Sequence, residues 1–501
     1  MEQLSGLDGW FLAMETSSVY GHVGSVCVVD PHVVQDGDIQ GGDIQDGDIQ
    51  GSEPELTLEH LTTFIESRLP LVPIFRRRLV MVPLGLDHPY WIDDPDFDIE
   101  FHIRELALPS PGSDKQLSEQ VGRLHARPLD RSRPLWELYL ITGLLGGKAA
   151  IYSKVHHAAI DGVSGGDLLT AVLDVSPDGR PMAQAEPFEG ERPPDPPWLL
   201  GRSVFALARQ PMQAVRVVAD LARSIPGLAN AIGPSLAQRL PGRDSSDLIP
   251  TPGLRAPGTP FNAPLSAHRR WAFTDLPLSG VKVLRAGSDR TVNDVVLALC
   301  AGALRRWLEL HEALPASPLV AAVPVSVRAT DQQGTMGNKV SMMLAPLPTN
   351  LSDPFERLET MHQAMRAAKE QHGAIPASLL ADVTQFAMPA LANQAWRLSA
   401  RLRLMERVNP WNLFISNVPG PSVPLYYAGA KVLAYYPVSA LVDGQGLNIT
   451  VMSYCGNLYF GLVACRQLVP DLDVMAGFLR EELAELTAAA GTHQGPALAT
   501  G

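Results

Sequence analysis

A hairpin signal that runs straight into two adjacent histidines narrows the fold choices for this chain more than any other stretch of it. From Pro134, the apolar run Leu135 to Ile141, carrying Trp136, Tyr139 and Ile141, predicts a strand. Gly146-Gly147 predicts a tight turn, and Ala149 to His157 a second strand. Directly after it, Ser164 to Asp167 has capping-box-like spacing before Leu168, Leu169, Val172 and Leu173, which recur on one helical face. His156 and His157 therefore sit on a strand-to-helix connection. If the strand period persists, Ile151, Ser153, Val155 and His157 face one side, and Tyr152, Lys154 and His156 the other. Only one histidine can then face a given cleft.

The chain has 501 residues, more than one hydrophobic core usually serves. Pro-rich, acidic sequence from Ser176 to Trp198 and a looser stretch from Pro241 to Pro264 bracket a connection that contains a helical segment. The expected division is 1–180, a linker over 181–265, 266–490 and a tail over 491–501. Between Gly37 and Gln50, Gly-Asp-Ile-Gln occurs three times, and 34–54 reads as a low-complexity loop insertion. Beyond the linker, Thr291 is placed to cap a long helix with Val295, Val296, Leu299, Cys300, Leu304 and Trp307 inward. Strands are expected around Leu319–Val327, Trp411–Val418, Val432–Val438, Leu447–Tyr454 and Leu458–Cys465. Both halves mix strands and helices, so the fold class is α/β of the α+β kind, two sandwiches facing each other with a site between them.

His156-His157-Ala158-Ala159-Ile160-Asp161-Gly162 carries the chemistry. A neutral imidazole titrates near working pH, so it can take the proton from an alcohol that attacks a carbonyl, an effect worth roughly 10²–10⁴-fold. Asp161 could orient the loop, and Gly162 leaves room for a ligand or backbone to pass. The same two histidines could instead be half-buried structural groups. A metal held by His157 and Asp161 lacks a third ligand nearby, so no metal is expected. A rival reading overlaps the motif: Gly162-Val163-Ser164-Gly165-Gly166 fits G-x-S-x-G, the nucleophile elbow of serine hydrolases. That elbow needs its histidine downstream, whereas this pair lies upstream.

The block H-H-x-x-x-D-G resembles the signature of the bacterial wax ester synthase/acyl-CoA:diacylglycerol acyltransferase family. Looser forms occur in carnitine and choline acyltransferases and in peptide-synthetase condensation domains, so other blocks decide. Leu4-Ser-Gly-Leu-Asp-Gly-Trp-Phe11, Pro134-Leu135-Trp136-Glu137, Asn293-Asp294 and Ser416-Asn417-Val418-Pro419-Gly420-Pro421 look like this family's blocks in its order. The resemblance runs from Leu4 to about Leu483 and departs at the Gly-Asp-Ile-Gln repeat. It implies two coenzyme-A-dependent acyltransferase domains of the chloramphenicol acetyltransferase type joined by a helical linker, with a channel between them. It implies His157 as catalytic base, His156 and Asp161 as supports, Gly162 at the cofactor passage, and Asn293 and Asp294 as important for activity. Asn293 could polarise the thioester carbonyl, or be an ordinary first-turn residue. Ser416 and Asn417 could donate to a developing oxyanion, or only complete strand-end turn chemistry. Trp136 is read as fixing the hairpin beneath the site.

The activity implied is esterification of diacylglycerol, and also of long-chain alcohols, with acyl-CoA as co-substrate and no permanently bound cofactor. A serine lipase using Ser164, a non-catalytic lipid-droplet-binding protein and a condensation-type domain remain alternatives. With 40 basic and 53 acidic residues the net charge is −13, which argues against a nucleic-acid partner. Cys27, Cys300, Cys455 and Cys465 have no C-x-x-C spacing and fit a reducing compartment. No signal-type leader and no spanning apolar run is seen, so a cytoplasmic chain that meets a membrane or lipid droplet peripherally is expected. Arg202, Arg209, Arg216 and Arg223, spaced every seven residues over Leu199 to Pro226, form a basic amphipathic stripe for such a surface, or simply a solvated linker face.

Overall fold

A computed structural model describes residues 1–33, 55–160, 171–182, 188–203, 205, 256–326, 340–372 and 409–493. The first part of the chain forms β1 (Glu2–Gln3), α1 (Gly6–Met14), β2 (His22–Val33), α2 (Leu58–Arg68), β3 (Arg77–Val80), β4 (Tyr90–Asp93) and α3 (Ile99–His102). It continues through β5 (Ile103–Ala107), α4 (Asp114–His125), β6 (Trp136–Thr142) and β7 (Ala149–His156). From Arg269 onward come β8 (Arg269–Pro277), α5 (Leu278–Arg285), α6 (Val292–Leu310), β9 (Leu319–Ser326), β10 (Val340–Leu347) and α7 (Pro354–His372). The chain closes with β11 (Leu413–Val418), β12 (Tyr426–Tyr427), β13 (Ala430–Val438), β14 (Leu447–Tyr454), β15 (Asn457–Cys465) and α8 (Leu472–His493).

Two six-stranded mixed sheets organise these elements, in the orders β12-β13-β2-β7-β6-β5 and β10-β9-β11-β14-β15-β8, with a small sheet β1-β4-β3 at one side. A hydrophobic cluster accompanies each large sheet. The expected hairpin is present: Gly146 and Gly147 have φ of 80° and 69°, a left-handed backbone that glycine adopts without strain. Its second strand stops one residue short of expectation, because His157 opens a 3₁₀ turn over His157–Ala159. On α6, Thr291 caps as predicted, and the six residues assigned to its inward face are all buried.

The pair β12-β13 leaves the sheet of the strands that flank it in sequence, β11 and β14. β13 pairs antiparallel with β2, placing Tyr435 opposite Cys27, Tyr436 opposite Val26 and Val438 opposite Gly24. The next two strands, β14 and β15, belong to the other sheet. A period-2 pattern announces a strand, but its hydrogen-bonding partner is decided by tertiary packing. The crossing is tight. A Cβ on Gly461 of β15 would lie 1.7 Å from the carbonyl oxygen of Pro437, and Trp271 of β8 donates its indole N–H to the same oxygen at 3.2 Å. α4 closes the seam from outside, Ser118 donating from its hydroxyl to Trp271 O.

This packing predicts a contrast between two glycines. Gly461→Ala must displace backbone at the crossing and should cost about 1–3 kcal/mol or more, seen as a lower denaturant midpoint. Gly201→Ala, on the helical stretch 196–203 where an added Cβ meets nothing within 4 Å, should be neutral or stabilise by up to about 1 kcal/mol.

Candidate functional site

The histidine pair lies where β7 meets the start of β2, with His156 opposite His22. His156 is 1 % exposed and ends the strand as the N-cap of the 3₁₀ turn, its Nδ1 accepting from Ala158 N–H at 3.1 Å. In the neutral ring the proton then sits on Nε2. His157 is only half-buried. Its backbone N–H donates to Gly21 O at 2.8 Å, and its ring stacks on Phe11 of α1, centroids 3.9 Å apart and planes 18° off parallel.

The residues around them come from a distant part of the sequence. Glu15, just after α1, accepts the Gly21 N–H on Oε1 at 2.7 Å, and the same oxygen lies 3.2 Å from His156 Nε2. That second approach is electrostatic rather than an aligned hydrogen bond. The other oxygen takes a two-pronged contact from Arg131, Nη2 at 2.6 Å and Nε at 3.1 Å, and Arg131 also donates from Nη2 to Leu12 O at 2.6 Å. Burial alone would raise the Glu15 pKa, but His156, Arg131 and the Gly21 N–H pull it from an ordinary 4.5 down to about 2. The space is close: a Cβ on Gly21 would sit 2.5 Å from His156 Nε2.

No motif in the sequence singles out Glu15 or Arg131. Glu15 follows the N-terminal block by four residues, and no local spacing links it to a histidine 141 positions on. Asp161 and Gly162 lie outside the described residues, as do Ser164, the 34–54 insertion and all the stripe arginines but Arg202.

Trp136 is buried, donating its indole N–H to Phe75 O at 2.8 Å between the rings of Phe75 and His102. Asn293 and Asn417 are brought together, Asn417 Nδ2 donating to Asn293 Oδ1 at 3.5 Å. Asp294 is committed to the start of α6: its carboxylate accepts the Thr291 N–H at 2.8 Å and meets His362 Nδ1 at 2.9 Å. Ser416, half-buried, stands opposite Thr450 on β14. A cavity of about 400 Å³ opens along the seam, lined by α4, β8 and α8 residues including Ser118, Arg270, Trp271 and Arg480 and by Arg466; the histidine pair is not part of its lining. Among the described residues no cluster of three His, Cys, Asp or Glu is placed to hold a metal.

Comparison with known proteins places these features in a family. Residues 4–296 match the wax ester synthase/diacylglycerol acyltransferase catalytic domain, and 336–487 match the C-terminal domain of the same family. A relative in Mycobacterium tuberculosis H37Rv, named as a probable diacylglycerol O-acyltransferase, tgs2, is 36% identical over 98% of this chain and 100% of its own length. Rv1760 of the same strain, with a provisional name of the same kind, is 36% identical over 97% of this chain and 90% of its own length. Among solved structures, the wax ester synthase/diacylglycerol acyltransferase of Marinobacter aquaeolei VT8 covers 98% of this chain and 100% of its own at 30% identity and a TM-score of 0.67. The first condensation domain of the calcium-dependent antibiotic synthetase shares the fold at 16% identity, covering 99% of each chain with a TM-score of 0.55.

A carboxylate depressed in the folded state contributes stability that is present above its unfolded pKa and is lost as pH falls through the folded one. Glu15, at about 2 against an ordinary 4.5, should therefore contribute on the order of 3 kcal/mol at neutral pH that disappears in acid. Denaturant midpoints measured from neutral pH down into the acid range should fall more steeply for wild type than for Glu15→Gln.

Proposed function

This chain belongs to the wax ester synthase/diacylglycerol acyltransferase family, and from that premise we propose that it transfers the acyl group of acyl-CoA to the hydroxyl of diacylglycerol, with His157 as general base. The imidazole takes the hydroxyl proton as the alcohol oxygen attacks the thioester carbonyl carbon. The tetrahedral intermediate collapses with cleavage of the carbon–sulfur bond, and the departing thiolate takes the proton back from the imidazolium. A thioester is already activated, so the transfer is direct and needs no acyl-enzyme. Long-chain alcohols would use the same base to give wax esters.

The observation that carries this reading is the division between the two rings. His156 is buried, with Nδ1 engaged by Ala158 and Nε2 facing Glu15. His157 stands half-buried at the end of the strand with one face against Phe11, a surface that stabilises a cationic ring. Asp161 and Gly162 complete the motif as loop support and passage for the co-substrate. Asn293, Asn417 and Ser416 supply amide and hydroxyl donors that suit a developing oxyanion. Acyl-CoA is a co-substrate in this scheme, not a resident cofactor.

Both substrates carry long chains, so the proposal includes peripheral contact with the inner face of a membrane or with a lipid droplet from the cytoplasmic side. The basic stripe that begins at Arg202 supports it. No described helix is long and apolar enough to cross a membrane.

Thiol release from palmitoyl-CoA, measured with and without diacylglycerol, tests the scheme. Wild type should show acceptor-dependent release, and His157→Ala, folded by circular dichroism, should lose at least about 10²-fold of it. Ser164→Ala should stay close to wild type. Undiminished release by His157→Ala would overturn the base assignment, and water-dependent ester cleavage that vanishes in Ser164→Ala would replace the scheme with the hydrolase reading.

A further inference from the structure

We propose that Glu15 and Arg131 are positioning residues for the base, a part-buried ion pair that fixes both the backbone and the ring of His157 without touching substrate. The inference rests on His157 being the general base, as proposed above. Three links converge on one carboxylate. The first is a peptide relay: Gly21 N–H donates to Glu15 Oε1 at 2.7 Å, and Gly21 O accepts from His157 N–H at 2.8 Å. The second is His156, whose Nε2 lies 3.2 Å from that same oxygen, so the residue before the base is held by its other ring nitrogen. The third runs through Arg131, which grips Glu15 Oε2 with two nitrogens and ties Leu12 O, on the helix whose Phe11 stacks on the His157 ring.

The arrangement does more than hold a loop. The loop alone could be closed by neutral hydrogen bonds, as Thr16 does for Ser18 and Val19 within the same turn. A carboxylate that is 11 % exposed is tolerated only because a guanidinium and aimed donors meet it, and each donor leads to a different fixture of His157. Arginine suits the role better than lysine, because its planar fork reaches two acceptors, Glu15 and Leu12 O, in fixed relation. A general base displaced by about 1 Å from the reacting hydroxyl can lose on the order of 10²-fold in rate while substrate binding changes little.

The test is steady-state kinetics on purified full-length Glu15→Gln, Arg131→Lys and the double variant Glu15→Gln/Arg131→Gln, each checked by circular dichroism and thermal melting, with His157→Ala alongside. Glu15→Gln should lower kcat by roughly 10–100-fold with little change in KM for acyl-CoA. Arg131→Lys should lose less, since it keeps the charge without the fork. The double variant should be no slower than the worse single one, because both act through one device. Placed on His157→Ala, Glu15→Gln should cause no further loss of residual turnover, whereas a merely structural role would still slow it. Should Glu15→Gln fail to fold, Arg131→Lys carries the same kcat-against-KM reading. A folded Glu15→Gln, or a folded Arg131→Lys if that alone is obtained, with wild-type kcat overturns the proposal, even where its melting temperature falls. If His157→Ala itself keeps wild-type turnover, the base assignment has failed instead, and the two outcomes are distinguishable in one set of assays.

Discussion

The pairing of β13 with β2 is the contact on which the rest of this molecule depends. The strands on either side of the β12-β13 pair in sequence, β11 and β14, hydrogen-bond in the second sheet while β13 is built into the first, so the chain must pass between sheets over the few residues from Val438 to Leu447. Its register then sets the seam. The last pair, Val438 with Gly24, lies two residues along β2 from His22, and His22 is the partner of His156 on the neighbouring strand. Ser439, just past the crossing, offers its carbonyl to His125 Nε2 at 3.1 Å, and Tyr436 donates to Asp275 on β8 at 3.2 Å. Because these contacts are short and join residues far apart in sequence, a rotation of one sheet against the other would break part-buried hydrogen bonds worth roughly 0.5–1.5 kcal/mol each. The crossing between the sheets therefore lies within a few residues of the strand that pairs with His156.

Much of this was legible in the residues, and what was not has physical reasons. Hairpin, glycine turn and helix cap are local: φ > 0 at Gly146 and Gly147, and the reciprocal bonds of Thr291 and Asp294, follow from residues within a few positions of one another. The resemblance extended this to the family and fold. Asp294, which the resemblance implies as important for activity, holds the helix start with its carboxylate and meets His362. The partner of β13 and the Glu15–Arg131 pair were not legible, because alternation fixes which face a side chain takes but not which strand it lies beside. The separation of 116 positions between Glu15 and Arg131 leaves no period to detect.

Charge placement follows the same geometry. On the face of β7 shared with Tyr152 and His156, Lys154 is fully buried and meets Glu137 Oε2 at 2.8 Å while donating to Arg127 O at 3.1 Å. Glu137 also accepts from Tyr139 in the sheet, and Lys154 donates to the segment after α4, so both ions have further partners. Breaking such a pair from one side leaves an uncompensated buried charge, a cost of about 3–5 kcal/mol, which makes the hairpin a stiff base for whatever its end presents. Stiffness is what a proton-transfer geometry needs, since the rate depends on distances held to fractions of an ångström.

Two adjacent histidines at one strand end are thus unequal by construction. Had β7 continued, His157 would have faced the side shared with Val155; the 3₁₀ turn instead begins there, and His156 becomes its cap. Capping alone does not call for histidine, because Ser, Asp or Asn would satisfy the Ala158 N–H as well. What those residues lack is a second polar atom on the far side of a rigid ring, and it is that atom, Nε2, that reaches Glu15. The first histidine is required by the connection between a turn and a carboxylate, and the second is the base of the proposed reaction. Each substitution at position 156 that preserves the cap but shortens the reach separates these two requirements, since the turn would persist while the link to Glu15 would not.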